Sequence, residues 1–215
     1  SQALPPPDKG FGSSFGQAVD AADPVIVVGE PASGGAGYAT GAAYVFERRH
    51  ELWHSTGSLL RPEPQPFDQF GWSVAIDDGR VAVGGPFTDD FGNSSGEVRL
   101  YQKAAGAWRR LDLVFSPDPE PDDIFGRDLA LDGDLLAVSA LDPPTQLQAG
   151  VGVVHLYRWD GVQFALETSF DAPLGPVDAS FGHSIDLHGG RLLSGSPNES
   201  SVQLLSGTAW LYDSL

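Results

Sequence analysis

Apolar and polar residues alternate along this chain in short runs, and glycine-containing pairs interrupt them. Trp72-Ser73-Val74-Ala75-Ile76 alternates, and Asp78-Gly79 ends the run. Both residues of such a pair tolerate positive φ, so the pattern predicts a tight hairpin. Arg80-Val81-Ala82-Val83-Gly84 is almost continuously apolar, as a strand buried on both faces must be. After a polar loop, Glu97-Val98-Arg99-Leu100-Tyr101 alternates again, and a fourth strand is predicted over 107–115. Its exit, Ser116-Pro117-Asp118-Pro119-Glu120-Pro121, is too rich in proline for a central strand and predicts a surface crossover. The other first hairpins are predicted at Asp23-Pro24, Asp132-Gly133 and Gly189-Gly190. No segment carries a 3.6-residue apolar period, so the expected class is all-β.

The whole pattern repeats. Phe-Gly stands at Phe15-Gly16, Phe70-Gly71, Phe125-Gly126 and Phe181-Gly182, in steps of 55, 55 and 56 residues. Pro31, Pro86 and Pro197 keep the same step, with Leu141 in the third place. Gly41, Gly96, Gly152 and Gly207 each precede a strand that ends on an aromatic: Phe46, Tyr101, Tyr157 and Tyr212. Trp53, Trp108 and Phe164 follow in register, as do Pro7, Pro62, Pro117 and Pro173. Four-stranded units of this length predict a β-propeller, in which no blade can bury its own faces alone. The expectation is one domain over 1–215, with units at 15–69, 70–124, 125–180 and 181–215. The fourth unit lacks its fourth strand. Residues 1–14, with Leu4 aligned to Leu59, are expected to complete it and close a four-bladed ring. The alternative is completion by a second chain.

Phe-Gly, then Gly-x-Pro, then Gly-x-x before an aromatic-ended strand resembles the FG-GAP repeat of integrin-type propellers, in its bacterial secreted version. The second unit carries the resemblance almost throughout, from Asp68-Gln69-Phe70-Gly71 through Val83-Gly84-Gly85-Pro86 to Gly96 and Tyr101. The third departs at Val138-Ser139-Ala140-Leu141. The resemblance implies the propeller fold and a binding role. Integrin-type repeats often carry calcium between their first two strands. Here that connection is a two-residue turn, too short for the six to eight oxygens calcium takes, so the family's metal site is not carried over.

Composition narrows the function. Asp and Glu number 29 against 12 Lys and Arg, a net charge of -17. Nucleic acid and anionic membrane surfaces are therefore excluded as partners. No apolar run approaches the ~18 residues of a membrane-spanning helix. Cysteine is absent, which excludes disulfides, zinc fingers and thiol catalysis. The start Ser1-Gln2-Ala3-Leu4-Pro5 fits a processed N-terminus. The expected location is extracellular, cell-surface or periplasmic.

Candidate binding residues are those that vary where the frame repeats. The residue after each Phe-Gly is Gln17, Trp72, Arg127 or His183. All four begin first strands, which line a propeller's channel. With the loops at 33–40, 88–95, 142–149 and 198–206 they would form one rim, suited to a sugar or a peptide. Asp89, Asp90 and Asn93 could offer oxygens to calcium, the bland alternative being a solvated acidic loop; no other cofactor is expected. No His, Ser and Asp set clusters in sequence, so no nucleophilic machinery is visible. The leading expectation is a non-enzymatic binding module for a protein partner or for self-association, with an exposed apolar patch near Phe87 and Phe91. A carbohydrate-binding propeller using Trp72 is the alternative. A glycan-active enzyme, with two carboxylates about 5–9.5 Å apart across the channel, is the third reading.

Overall fold

The alternating runs become strands and the glycine pairs become their turns in a computed structural model that describes residues 2–7, 12, 14–34, 38–141, 152–171, 180–198, 206–213 and 215. Among the described residues no helix occurs and four antiparallel sheets form, each from strands consecutive in sequence. The first blade holds β1 (Val19–Ala22), β2 (Val25–Glu30), β3 (Ala42–Arg49) and β4 (Leu52–Leu59). The second holds β5 (Ser73–Asp77), β6 (Arg80–Gly85), β7 (Glu97–Ala104) and β8 (Ala107–Val114). The third holds β9 (Leu129–Asp132), β10 (Leu135–Ala140), β11 (Val153–Trp159) and β12 (Phe164–Asp171). The fourth has three strands, β13 (Ser184–His188), β14 (Arg191–Ser196) and β15 (Thr208–Asp213).

Local chemistry sets the turns. Asp78 and Gly79 are both left-handed, at φ 45° and 70°, as their sequence predicts. In the third blade Asp132 pairs with Leu135, so the turn residues are Gly133 and Asp134, one position beyond the expected pair. The Asp132 carboxylate instead accepts the Gly190 N–H of the next blade at 3.3 Å. Asp77 makes the same link one blade earlier, accepting the Gly133 N–H at 2.5 Å.

The blades are stacked by their periodic aromatics. Phe70, Phe125 and Phe181 are fully buried, and each fills the interface with the preceding blade. A register shift falls at the same place in three blades, at Val45/Phe46, Leu100/Tyr101 and Leu156/Tyr157. The tyrosines at this position reach back across the interface. Tyr101, Tyr157 and Tyr212 donate their hydroxyls to the carbonyls of Leu60, Phe115 and Asp171, at 3.3, 2.9 and 3.3 Å. The first blade has Phe46 here, without a hydroxyl.

The two ends of the array are packed differently. Gln2 exchanges a pair of 2.8 Å hydrogen bonds with the Trp53 backbone, and Leu4 packs with Val28, Tyr44 and Phe46. Leu4 thus lies against the first blade as its aligned counterpart Leu59 lies against the second. At the other end, Leu211 is 59% exposed where its counterparts Val45, Leu100 and Leu156 are sealed by the following blade. Among the described residues, apolar clusters join consecutive blades only, and none joins the last blade to the first.

One buried titratable group gives a pH signature. His155 on β11 lies inside the blade array, with Nδ1 at 2.8 Å from Ser169 Oγ. Burial pulls its pKa from 6.5 to about 4. The folded chain keeps the ring neutral while the unfolded chain protonates it, so this stability is complete above pH 6.5 and is lost on the way down to pH 4. Between pH 7 and pH 5 the wild type should lose about 2 kcal/mol more than His155→Gln in urea denaturation. Parallel losses in the two proteins would remove His155 as the cause.

Candidate functional site

The Phe-Gly signature is a device for pointing one side chain inward and the next into the channel. The residue before each Phe is left-handed (Ser14, Gln69, Ile124 and Ser180, φ 58°, 50°, 52° and 51°). The Gly after it is left-handed too, at φ 79° to 91°. This conformation is natural for glycine and uncommon for a β-branched residue such as Ile124. The chain so bent buries Phe between blades and releases the following residue at the start of the first strand. Three of these turns close with the same backbone bond, to Ser14, Gln69 and Ser180 carbonyls from the N–H groups of Gln17, Trp72 and His183, each at 3.1 Å.

Gln17, Trp72, Arg127 and His183 accordingly line one cleft of about 470 Å³ at the channel. The Arg127 guanidinium carbon stands over the Trp72 ring, 4.8 Å from its centroid. Phe87, from the loop after β6, meets Trp72 edge-on at 5.3 Å and 84°. One face of Trp72 is therefore occupied by Arg127, and Phe87 packs at right angles to the ring. Burial holds the Arg127 pKa below the usual guanidinium value, with Asp128 opposing. Burial likewise raises the carboxyl of Asp128, whose two oxygens accept N–H groups from Leu129 at 3.1 Å and Ile185 at 2.8 Å. Asp20, also on the cleft wall, accepts from Ala21 at 2.8 Å and Ile76 at 2.7 Å. These carboxylates tie consecutive blades together and are engaged by backbone.

Asp89, Asp90 and Asn93 are not gathered into this cleft. Asp90 sits on Arg61 at 2.6 Å, Asp89 accepts the Ser94 N–H at 2.7 Å, and Asn93 donates to Asp122 at 2.6 Å. One oxygen each of Asp89 and Asp90 is bonded within the loop and its neighbours, and Asn93 is held through its amide nitrogen. Near the first-strand turns, the carboxylates of Asp77 and Asp132 are directed at the next blade. Phe87 is half-buried on Trp72. Phe91 is half-exposed and packs edge-on against Phe115 at 4.8 Å. The loop at 142–149 and most of that at 198–206 lie outside the described residues.

A charged cluster escaped the sequence reading. Glu97, fully buried at the start of β7, receives Arg99 at 2.6 and 2.8 Å and Arg61 at 3.1 Å. Arg61 comes from the linker after the first blade and also meets Asp68 at 3.4 Å. An Arg two positions after a Glu on a strand was the available signal, since both side chains then share a face.

The FG-GAP repeat family profile matches residues 1–46 and 53–101. No curated protein matches the chain. Repeats of this family usually occur in extracellular or surface proteins and are generally non-enzymatic. The FG-GAP repeat spans the first blade and most of the second, the same Phe-Gly turn opens the other two, and the chain is a four-blade β-propeller.

Proposed function

We propose that this propeller is a secreted or cell-surface binding module, non-enzymatic, that presents its channel mouth to a protein partner. The observation that carries the reading is the convergence of four dissimilar side chains, Gln17, Trp72, Arg127 and His183, in a frame that otherwise repeats. A scaffold that holds its backbone constant and varies one convergent position per blade suits recognition. The carbohydrate alternative draws less support, because Arg127 already occupies a face of Trp72 on which a sugar would stack.

The test is a labelled chain probed on peptide and glycan arrays beside Trp72→Ala and His183→Ala. The expected result is peptide binding that both variants weaken about tenfold or more, the range of central interface residues. Glycan binding alone would transfer the reading to a lectin. Peptide binding that neither variant changes would move the site away from the channel.

A further inference from the structure

Asp128 acts on Arg127 through its charge without reaching ion-pair distance. The Arg127 guanidinium makes no hydrogen bond or ion pair with any described residue, and its carbon stands 4.8 Å from the centroid of the Trp72 ring. The other arginines withdrawn from solvent are matched: Arg61 with Asp90 at 2.6 Å, Arg80 with Asp134 at 3.0 Å, Arg99 with Glu97 at 2.6 Å. Leaving a half-buried guanidinium unpaired is costly, and this chain, with 29 acidic residues, avoids it elsewhere. The carboxylates on the cleft walls are engaged by backbone. Asp128 and Asp20 hold two backbone N–H groups each, and Asp186 accepts the Leu187 N–H at 3.0 Å.

We propose that the channel cleft binds a carboxylate, with Arg127 as its receptor and an acidic peptide side chain or peptide C-terminus as its source. The inference rests on the protein-partner reading above and specifies its chemistry. A guanidinium held over an indole keeps its N–H groups free for a planar acceptor, and two parallel bonds to a carboxylate fit that fork. Gln17 and His183 line the same cleft and add donors. A phosphate or sulfate ester fits less well. Its larger charge would face Asp20, Asp128 and Asp186 on the same walls and the field of a chain with net charge -17.

The experiment uses the whole chain and three small probes: N-acetylglutamate α-amide, which carries only the side-chain carboxylate; N-acetylglutamine, which carries only the α-carboxylate; and N-acetylglutamine amide, which carries neither. Nitrogen–proton spectra resolve arginine Nε–H and tryptophan indole signals, and Arg127→Lys identifies the Arg127 signal by its loss. The expected result is a saturable millimolar shift of the Arg127 Nε–H and Trp72 indole with one or both carboxylates, and none with the amide. Which carboxylate acts tells side chain from C-terminus. Arg127→Lys should weaken the Trp72 response about tenfold and Arg127→Gln should abolish it. Unchanged amide dispersion outside the cleft certifies that both variants are folded. No shift with either carboxylate, an equal shift with all three probes, or an undiminished indole response in Arg127→Gln would each overturn the proposal. Array binding to uncharged peptides without a carboxylate response would sink this inference and leave the partner reading standing. A carboxylate response with silent peptide arrays would do the reverse.

Discussion

Gly96→Ala is expected to destabilise the protein by about 4 kcal/mol. Gly96 lies at φ 80°, and its neighbour across the blade junction is Phe125, with which it forms an isolated parallel bridge. A Cβ at Gly96 would stand 2.1 Å from the Phe125 carbonyl oxygen and 2.6 Å from its nitrogen. These are backbone atoms and cannot turn aside. Relief would require the second and third blades to part, and Phe125 fills the space between them. Gly41 meets Phe70, and Gly152 meets Phe181, in the same way, each at about 2 Å from the carbonyl oxygen. Gly106 is the control. Its φ is 82°, but nothing lies within 4 Å of its Cβ position, so Gly106→Ala should cost only the left-handed penalty, about 1 kcal/mol. Urea denaturation of the two variants separates strain from collision. Equal losses would mean that the junction yields and that close approach between blades is not what requires glycine.

Glu97→Ala is the second large effect, with an expected loss of about 3–5 kcal/mol. The side chain is fully buried and carries two guanidiniums, from Arg99 on its own strand and from Arg61, 36 residues earlier. Arg61 is itself withdrawn, and although burial lowers its pKa, Glu97, Asp90 and Asp68 more than offset this. Removing the carboxylate leaves two cations in the interface with less than their due. Glu47→Ala makes the comparison: its pair with Lys103 at 2.7 Å is partly solvated and should contribute about 1 kcal/mol or less. Matching losses for the two substitutions in thermal or urea unfolding would show that Glu97 organises nothing beyond an ordinary ion pair.

The first blade holds the converse arrangement. Glu30 stands opposite Ala42 across β2 and β3, where the second blade has Gly85 opposite Glu97. Both put a carboxylate at the same level of the blade, from opposite strands. Arg61 and Arg99 have Pro6 and Tyr44 as their counterparts one period earlier, and the buried Glu30 oxygens have no hydrogen-bond partner among the described residues. Each residue is plain in the sequence, yet the pairing is not, because it requires knowing which strands oppose each other and what crosses from the linker.

The sequence by itself determined the period, the strands, the turns and the propeller. Left-handed turns, alternation and apolar runs depend on φ preference and side-chain burial over a few neighbouring residues. Four repetitions of one Phe-Gly turn therefore opened four blades alike and sent Gln17, Trp72, Arg127 and His183 to equivalent places. The tertiary structure alone decided what those places meet. It set Arg127 over Trp72, took Asp90 away to Arg61, laid Leu4 on the first blade, and left Leu211 open where its counterparts are sealed. These outcomes depend on groups a blade or more apart in the chain. Their meeting is set by how the sheets twist and stack, which no local pattern encodes.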